Sequence, residues 1–333
     1  MTQTSLDAFR AHGGRIEAAR AAFGPAEDGA AWIDLSTGIA PWSYPVAAGL
    51  GLDRLPEPDA LAALEAAAAD AFGVPGGRCV VAVPGSDMAL RLLAVILPSR
   101  TPAVVRPGYA GHAAAWPAAT PIADESLAEA AATHDPVVFA SPANPDGRIA
   151  DPAQVAAIAA RSTVVADEAF ADPAPGLASF DVGQASERLL VLRSFGKFYG
   201  LPGLRLGFVV CGPGVAARLR SLLGDWPVSG AAISIGCAAY RDAGWREAQA
   251  ARIAAAGTRL DALLERTGLQ VAGAASLFRL IACEDADALF RHLAARAILT
   301  RPFADRPGRL RLGLPADDAA FDRLAAALEE YPR

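Results

Sequence analysis

From about residue 60 the chain alternates short apolar runs with Ala-rich stretches in which Leu, Val and Ile recur at helical spacing. The runs are CVVAVP (79–84), AVVR (103–106), PVVFA (136–140), TVVAD (163–167), LLVLR (189–193) and LGFVVC (206–211). They are continuous rather than alternating, the pattern of strands covered on both faces. Stretches such as DMALRLLAVIL and PAQVAAIAAR lie between them, with Pro or Gly at most junctions. This alternation predicts an α/β fold with a mainly parallel sheet flanked by helices. In such sheets ligands collect beyond the carboxyl ends of the strands. The residues that follow each run are therefore the candidates for chemistry.

The pattern changes near residue 213. From there to about 266 it reads as helices, including a long one through 231–266. Residues 270–333 mix two short strands, LFRLIA and RLRLGL, with two helical segments, which predicts a smaller α+β domain. The expected division is an N-terminal segment, 1–50, that returns to the small domain, a large domain, 51–225, and a small C-terminal domain, 226–333. About two domains also suit the length.

Composition narrows the functional classes. With 53% apolar and 20% charged residues in 333, the chain has the content for a large core and lacks the signature of disorder. Its formal net charge is -6 and no basic stripe is present, so a nucleic-acid partner has no electrostatic footprint. The cysteines Cys79, Cys211, Cys237 and Cys283 form no CxxC pair, which points away from a metal site or disulfide framework and toward a reducing compartment. MTQTSLDAFR is polar and lacks an apolar leader core, and ALRLLAVIL is short and carries Arg91. A soluble, cytoplasmic protein with no membrane partner is expected. One oddity remains: Lys197 is the only lysine among 30 basic residues, and Asn144 is the only asparagine. Arginine replaces lysine readily at a surface but not where a deprotonatable amine is needed.

Four features follow the predicted strands. Gly85-Ser86-Asp87 opens a helix, where it serves either as a plain N-cap or as an anion site. Ser141-Pro-Ala-Asn144-Pro-Asp-Gly147 is a rigid turn that presents one amide side chain. Asp167, at the end of a buried strand, needs a positive partner or a helix to cap. Ser194-Phe-Gly-Lys197 is followed by Leu201-Pro-Gly-Leu-Arg205-Leu-Gly207. Together they suit pyridoxal 5'-phosphate (PLP): an amine for its aldehyde, a carboxylate for its ring nitrogen, and Ser, Arg and a helix N-terminus for its phosphate. Tyr109, in Pro107-Gly-Tyr-Ala-Gly-His112, offers an aromatic face. GxGxxG and GxxxxGK[ST] are both absent.

SPANPDG, VVADEAF, SFGK and LPGLRLG, in this order, resemble the class I/II aminotransferase group, PLP fold type I. The resemblance implies Lys197 as the Schiff-base lysine and Asp167 as the partner of the pyridine nitrogen. It implies Asn144 at the ring 3-oxygen, Ser86, Asp87, Ser194 and Arg205 at the phosphate, and Tyr109 stacked on the ring. Arg311, in RLRLGLP, would clamp a substrate carboxylate. Within the group, His12-Gly13-Gly14, WIDLSTGIAP and YAGHAAAW resemble the threonine-phosphate decarboxylases of cobalamin biosynthesis. That likeness implies a small phosphorylated amino acid as substrate, met by His12, Gly13 and Gly14 with Arg301, and a homodimer. Taken alone, HGG reads equally as a flexible turn.

Against the group's usual pattern, Ser141 replaces an Asn, Phe170 a Tyr, Leu55 the Tyr of a Tyr-Pro pair, Ala40 an Asn, and Gly111-His112 an acidic–aromatic pair. The expected activity is decarboxylation of L-threonine O-3-phosphate. The alternatives are an aminotransferase of the histidinol-phosphate type and a non-catalytic PLP-binding protein.

Overall fold

The computed structural model describes residues 6–25, 29–47, 49–50, 52–98, 101–181 and 187–332. The opening residues of the polar N-terminal stretch, 1–5, lie outside the described residues. Contacts divide the chain into two compact units, Ser43–Gln249 and Met1–Trp42 with Ala250–Arg333.

The Ser43–Gln249 unit is built on a seven-stranded sheet. Numbered within this unit, the strands are β1 (Cys79–Val83), β2 (Ala103–Val105), β3 (Thr120–Ile122), β4 (Val137–Ala140), β5 (Val164–Asp167), β6 (Leu189–Ser194) and β7 (Gly207–Cys211). Their order across the sheet is β1-β7-β6-β5-β4-β2-β3. Pairings from β6 through β3 are parallel, whereas β7 runs antiparallel to both neighbours. Six of these strands are the apolar runs of the sequence, and they are buried on both faces as continuous runs require. On one face Val81, Val83, Leu190, Leu192 and Val209 pack with Leu90 and Leu93 of the Ser86–Ile96 helix and Val215 and Leu219 of the Pro213–Leu223 helix. On the other, Phe208 meets Phe72 and Tyr240 edge-on. Each such side chain contributes about 1.5–3 kcal/mol when fully buried.

Strand β3 carries no apolar-run signal. It is three residues long, contains Pro121 and lies at the sheet edge, where a missing N–H costs no ladder bond. The helix expected over 231–266 is two helices, Gly230–Arg241 and Ala243–Arg266. Asp242 divides them, leaving helical geometry while its carboxylate accepts the Trp245 N–H at 2.9 Å.

In the second unit a four-stranded antiparallel sheet runs Arg301–Pro302, Arg309–Gly313, Phe278–Ala282, Gln270–Ala275. Ile33–Asp34 pairs in parallel with Ile298–Leu299, which joins N-terminal residues to C-terminal ones. Phe9, Phe23 and Phe290 form an aromatic core there. The helices Ala286–Ala295 and Asp318–Glu329 are capped by the Asp285 and Asp317 carboxylates. No helix among the described residues is long and apolar enough to cross a membrane.

Candidate active site

Strand direction gathers the candidates of the Ser43–Gln249 unit at one edge of its sheet. Ser86 follows β1, Tyr109 follows β2, Asn144 follows β4, Asp167 ends β5, and Ser194 ends β6 with Lys197 one turn beyond. These strands all point the same way. Arg205 precedes its strand, and the reversal of β7 brings it to the same edge: Gly207 at the start of β7 pairs with Ser194 and Val83. The mainly parallel sheet thus needs one antiparallel strand to complete the set.

At that edge the Ser86–Ile96 helix presents its N-terminus to a guanidinium. Gly85, the residue before the helix, has φ +95°, and a Cβ there would stand 2.7 Å from Arg205 Nη2. Gly207 is equally constrained, since its Cβ would lie 2.6 Å from the Ser86 nitrogen. Two glycines therefore let the Arg205 head, the helix start and the end of β6 come together. The N–H groups of Ser86 and Asp87 belong to the first turn, where no intrahelical acceptor exists. Amides, a helix dipole and an arginine fork make a cradle for a phosphate group. Arg205 itself sits in the left-handed region at φ +54°, at a cost of about 1–3 kcal/mol. The Asp87 carboxylate turns elsewhere, accepting from Arg91 at 3.2 Å and from the Tyr109 hydroxyl at 3.1 Å.

Beside the cradle lies a buried chain of polar groups. Asp167 Oδ1 accepts the Ala169 N–H at 3.1 Å, and Oδ2 lies 3.0 Å from His112 Nε2. His112 is fully buried and meets the Tyr109 ring edge-on at 5.5 Å. Gly111 allows this, because a Cβ there would collide with the Tyr109 ring. Burial first, and the Asp87 carboxylate second, push the Tyr109 hydroxyl well above its usual pKa, so it stays a neutral donor. The Asn144 turn is tied to the same place by the Ser141 N–H, which donates to the Asp167 carbonyl at 3.0 Å.

Lys197 lies in the short helix Phe195–Phe198, with Nζ 5.5 Å from the centre of the Phe170 ring. A Cβ on Gly196 would stand 2.8 Å from Pro202 Cα, so SFGK packs directly on the LPGLR turn. Phe195 stacks on Tyr199 at 4.3 Å, Tyr199 stacks on Trp245 at 5.7 Å, and Gln249 Nε2 donates to the Phe198 carbonyl at 3.0 Å. The turn that carries the lysine is rigid at both ends.

The remaining candidates, His12, Gly13, Gly14, Arg301 and Arg311, lie in the other unit. Arg301 and Arg311 are register partners on adjacent strands, so two guanidinium groups share one place. Burial and then Arg301 lower Arg311 to about 9, against the opposing pull of Asp34. Like charges opposed across a sheet are destabilising unless an anion joins them. One Arg311 nitrogen donates to the Ser36 carbonyl at 3.0 Å, and Arg301 donates to the carbonyls of Phe9 and Ala11, both at 2.8 Å. His12 is exposed at the end of the Asp7–Ala11 helix. The glycines after it have a packing role: a Cβ on Gly13 would collide with the Ser36 carbonyl, and the Gly14 N–H donates to Ser36 Oγ at 2.8 Å.

In the sequence His112 is marked only as a departure from the group's pattern. Its link to Asp167 depends on the order β2-β4-β5, which local sequence does not display; its one signal was a histidine two residues after a glycine-rich turn. Arg193, fully buried beside Ser194, was likewise seen only as the end of an apolar run.

The chain is similar to known proteins in sequence and in fold. Residues 122–328 match the model of the family described as aminotransferase class I and II. The chain is 40% identical to the threonine-phosphate decarboxylase of Pseudomonas aeruginosa, over 95% of this chain and 96% of that one. It is 32% identical to histidinol-phosphate aminotransferase 1 of Ralstonia nicotianae, over 86% and 84%. Among solved structures, the histidinol-phosphate aminotransferase of Sinorhizobium meliloti in complex with pyridoxal-5'-phosphate matches with a TM-score of 0.78 and 22% identity, covering 94% of this chain and 93% of that chain, an agreement of fold.

Proposed function

Because this chain belongs to the aminotransferase class I and II family, we propose that it is a PLP-dependent decarboxylase that converts L-threonine O-3-phosphate to (R)-1-amino-2-propanol O-2-phosphate and carbon dioxide, a step of cobalamin biosynthesis. The observation that carries the choice of reaction is the near full-length similarity at 40% identity to a threonine-phosphate decarboxylase, against 32% for the histidinol-phosphate aminotransferase. The cofactor fits the residues present: at Gly85 the absence of a Cβ lets the Arg205 guanidinium approach the start of the Ser86–Ile96 helix, a donor set suited to a phosphate group, and an amine and a buried carboxylate stand at the same sheet edge.

Arg205, Ser194 and the N–H groups of Ser86 and Asp87 would hold the phosphate, Asn144 the ring oxygen, and Lys197 the aldehyde carbon. When bound, PLP supplies an electron-accepting ring for the electron pair released at the substrate α-carbon. Asp167 would accept the hydrogen bond of the ring N–H and keep that proton in place, with His112 holding the Asp167 carboxylate in orientation. Tyr109 would cover the ring face. The Arg311 fork would orient the substrate carboxylate, whose bond to the α-carbon breaks with loss of carbon dioxide. Lys197, released from the aldehyde carbon when the substrate amine takes its place, would return a proton to the α-carbon. Arg301 and the His12-Gly13-Gly14 segment receive the substrate phosphate. The protein acts as a homodimer in the cytoplasm.

Purified protein supplied with PLP and threonine phosphate is expected to release carbon dioxide. Absence of release, together with amino transfer from histidinol phosphate to a 2-oxo acid, establishes the aminotransferase instead.

A further inference from the structure

Arg193 is the largest fully buried side chain among the described residues, and the chemistry above does not use it. Its position is particular. It precedes Ser194 on β6, and the strand beside it, β5, ends in Asp167. Its guanidinium reaches over the loop that leaves Asp167. Nη1 meets Glu168 Oε2 at 3.2 Å and donates to the Pro175 carbonyl at 2.9 Å. Nη2 meets the Asp172 carboxylate and donates to the Ala174 carbonyl at 2.9 Å. The cation lies 4.5 Å above the Phe72 ring. Glu168 completes the fastening by accepting the Leu177 N–H at 2.6 Å. Gly176, at φ +58°, leaves room for that carboxylate, which a Cβ would strike.

A buried ion cluster of this kind is a poor way to add stability, since desolvation offsets most of the Coulomb gain. Burial pushes the Glu168 carboxyl up despite its cationic neighbour. What the cluster does supply is fixed direction, because a planar fork bonds two carboxylates and two carbonyls at set angles. The loop it fixes begins at Asp167 and carries Phe170, whose ring lies against Lys197 Nζ.

We propose that Arg193 is a positioning residue: it fastens the 168–177 loop to the strand ending in Ser194, and so sets the aim of the Asp167 carboxylate and the Phe170 ring at the cofactor. The proposal rests on the PLP reading above. Small displacements at a reacting centre are costly, with about 1 Å costing about 100-fold in rate.

The test compares three near-isosteric variants by visible circular dichroism of added PLP, by kcat and KM, and by hydrogen exchange of residues 168–177 without cofactor. Arg193→Lys keeps the charge and loses the fork. Glu168→Gln keeps the shape, yet must turn an amide donor toward either Leu177 N–H or Arg193, because both Glu168 oxygens accept. Asp172→Asn keeps an oxygen for Arg193 Nη2 but removes a buried charge and puts an amide donor where the cluster offers it no acceptor, so it acts in the same direction as the other two. Expected are altered dichroism, faster exchange and a kcat lowered about 10-fold with KM within about twofold for all three variants. Lower melting temperatures with wild-type dichroism and kcat in Arg193→Lys and Glu168→Gln overturn the proposal. If Arg193→Lys does not fold, Glu168→Gln decides by the same readouts. Wild-type protein that gains no dichroism on adding PLP overturns the function reading, and exchange of 168–177 then still decides whether Arg193 fastens the loop.

Discussion

Replacing Gly85 by alanine attacks the phosphate cradle without removing any group that would touch the ligand. The new methyl would start 2.7 Å from Arg205 Nη2 and 3.3 Å from Cζ. Ordinary contact between such atoms is about 3.5 Å, so the guanidinium must retreat by about 0.8 Å. A charge-assisted hydrogen bond contributes about 1.5–3 kcal/mol, and losing one weakens phosphate binding by about 10- to 100-fold. Separately, alanine at φ +95° costs about 1–3 kcal/mol of fold stability. The two effects are read apart by measuring the melting temperature and, by calorimetry at a temperature where the variant is folded, the affinity for pyridoxine 5'-phosphate. That compound has no aldehyde to engage Lys197. Pyridoxine without its phosphate is the control and is expected to bind both proteins alike. Folded Gly85→Ala protein that binds the phosphorylated compound within about twofold of wild type refutes the placement of the phosphate at Arg205.

Lys197→Ala is expected to abolish turnover, measured as carbon dioxide release, while leaving pyridoxine 5'-phosphate binding in place. His112→Ala removes one hydrogen bond to a buried carboxylate and is expected to lower kcat by about 10- to 100-fold, with PLP still bound by absorbance. Arg311→Lys replaces a two-pronged contact by a point charge, and KM for threonine phosphate is expected to rise about 10-fold in initial-rate assays. Removing PLP by dialysis is expected to lower the melting temperature, because saturation at about 100 times the dissociation constant contributes about 2.7 kcal/mol.

The strands of the large sheet could be read from sequence because they are buried on both faces, and burial on both faces writes a continuous apolar run. Strand β3 could not, because a three-residue edge strand with a central proline is barely buried and too short to write an apolar run. The break at Asp242 was hidden for a different reason: Ala, Arg and Tyr continue a helical pattern across it, and only the turn of the Asp242 side chain onto Trp245 stops the first helix. At the site, Lys197 stood out by rarity and Asp167 by its place at the end of an apolar run. His112 and Arg193 did not, since what each does depends on a neighbour from another strand. The glycines show the limit most plainly. Gly85 is explained by Arg205 and Gly207 by Ser86, neighbours far away in the chain, and such contacts leave no trace in local sequence.

The pairing of β1 with β7 also bears on when the protein becomes competent during its synthesis. Strand β1 is an edge strand whose single neighbour in the sheet is β7, the last of the seven to be made. Closing so long a loop is slow and depends on contacts far apart in the chain. A nascent chain halted before residue 207 already holds Ser86, Asp167 and Lys197, yet it lacks the strand that brings the helix start, Ser194 and Arg205 together. The phosphate cradle is thus among the last features of this sheet to form, and PLP retention by ribosome-stalled chains of increasing length would begin only after β7 has emerged.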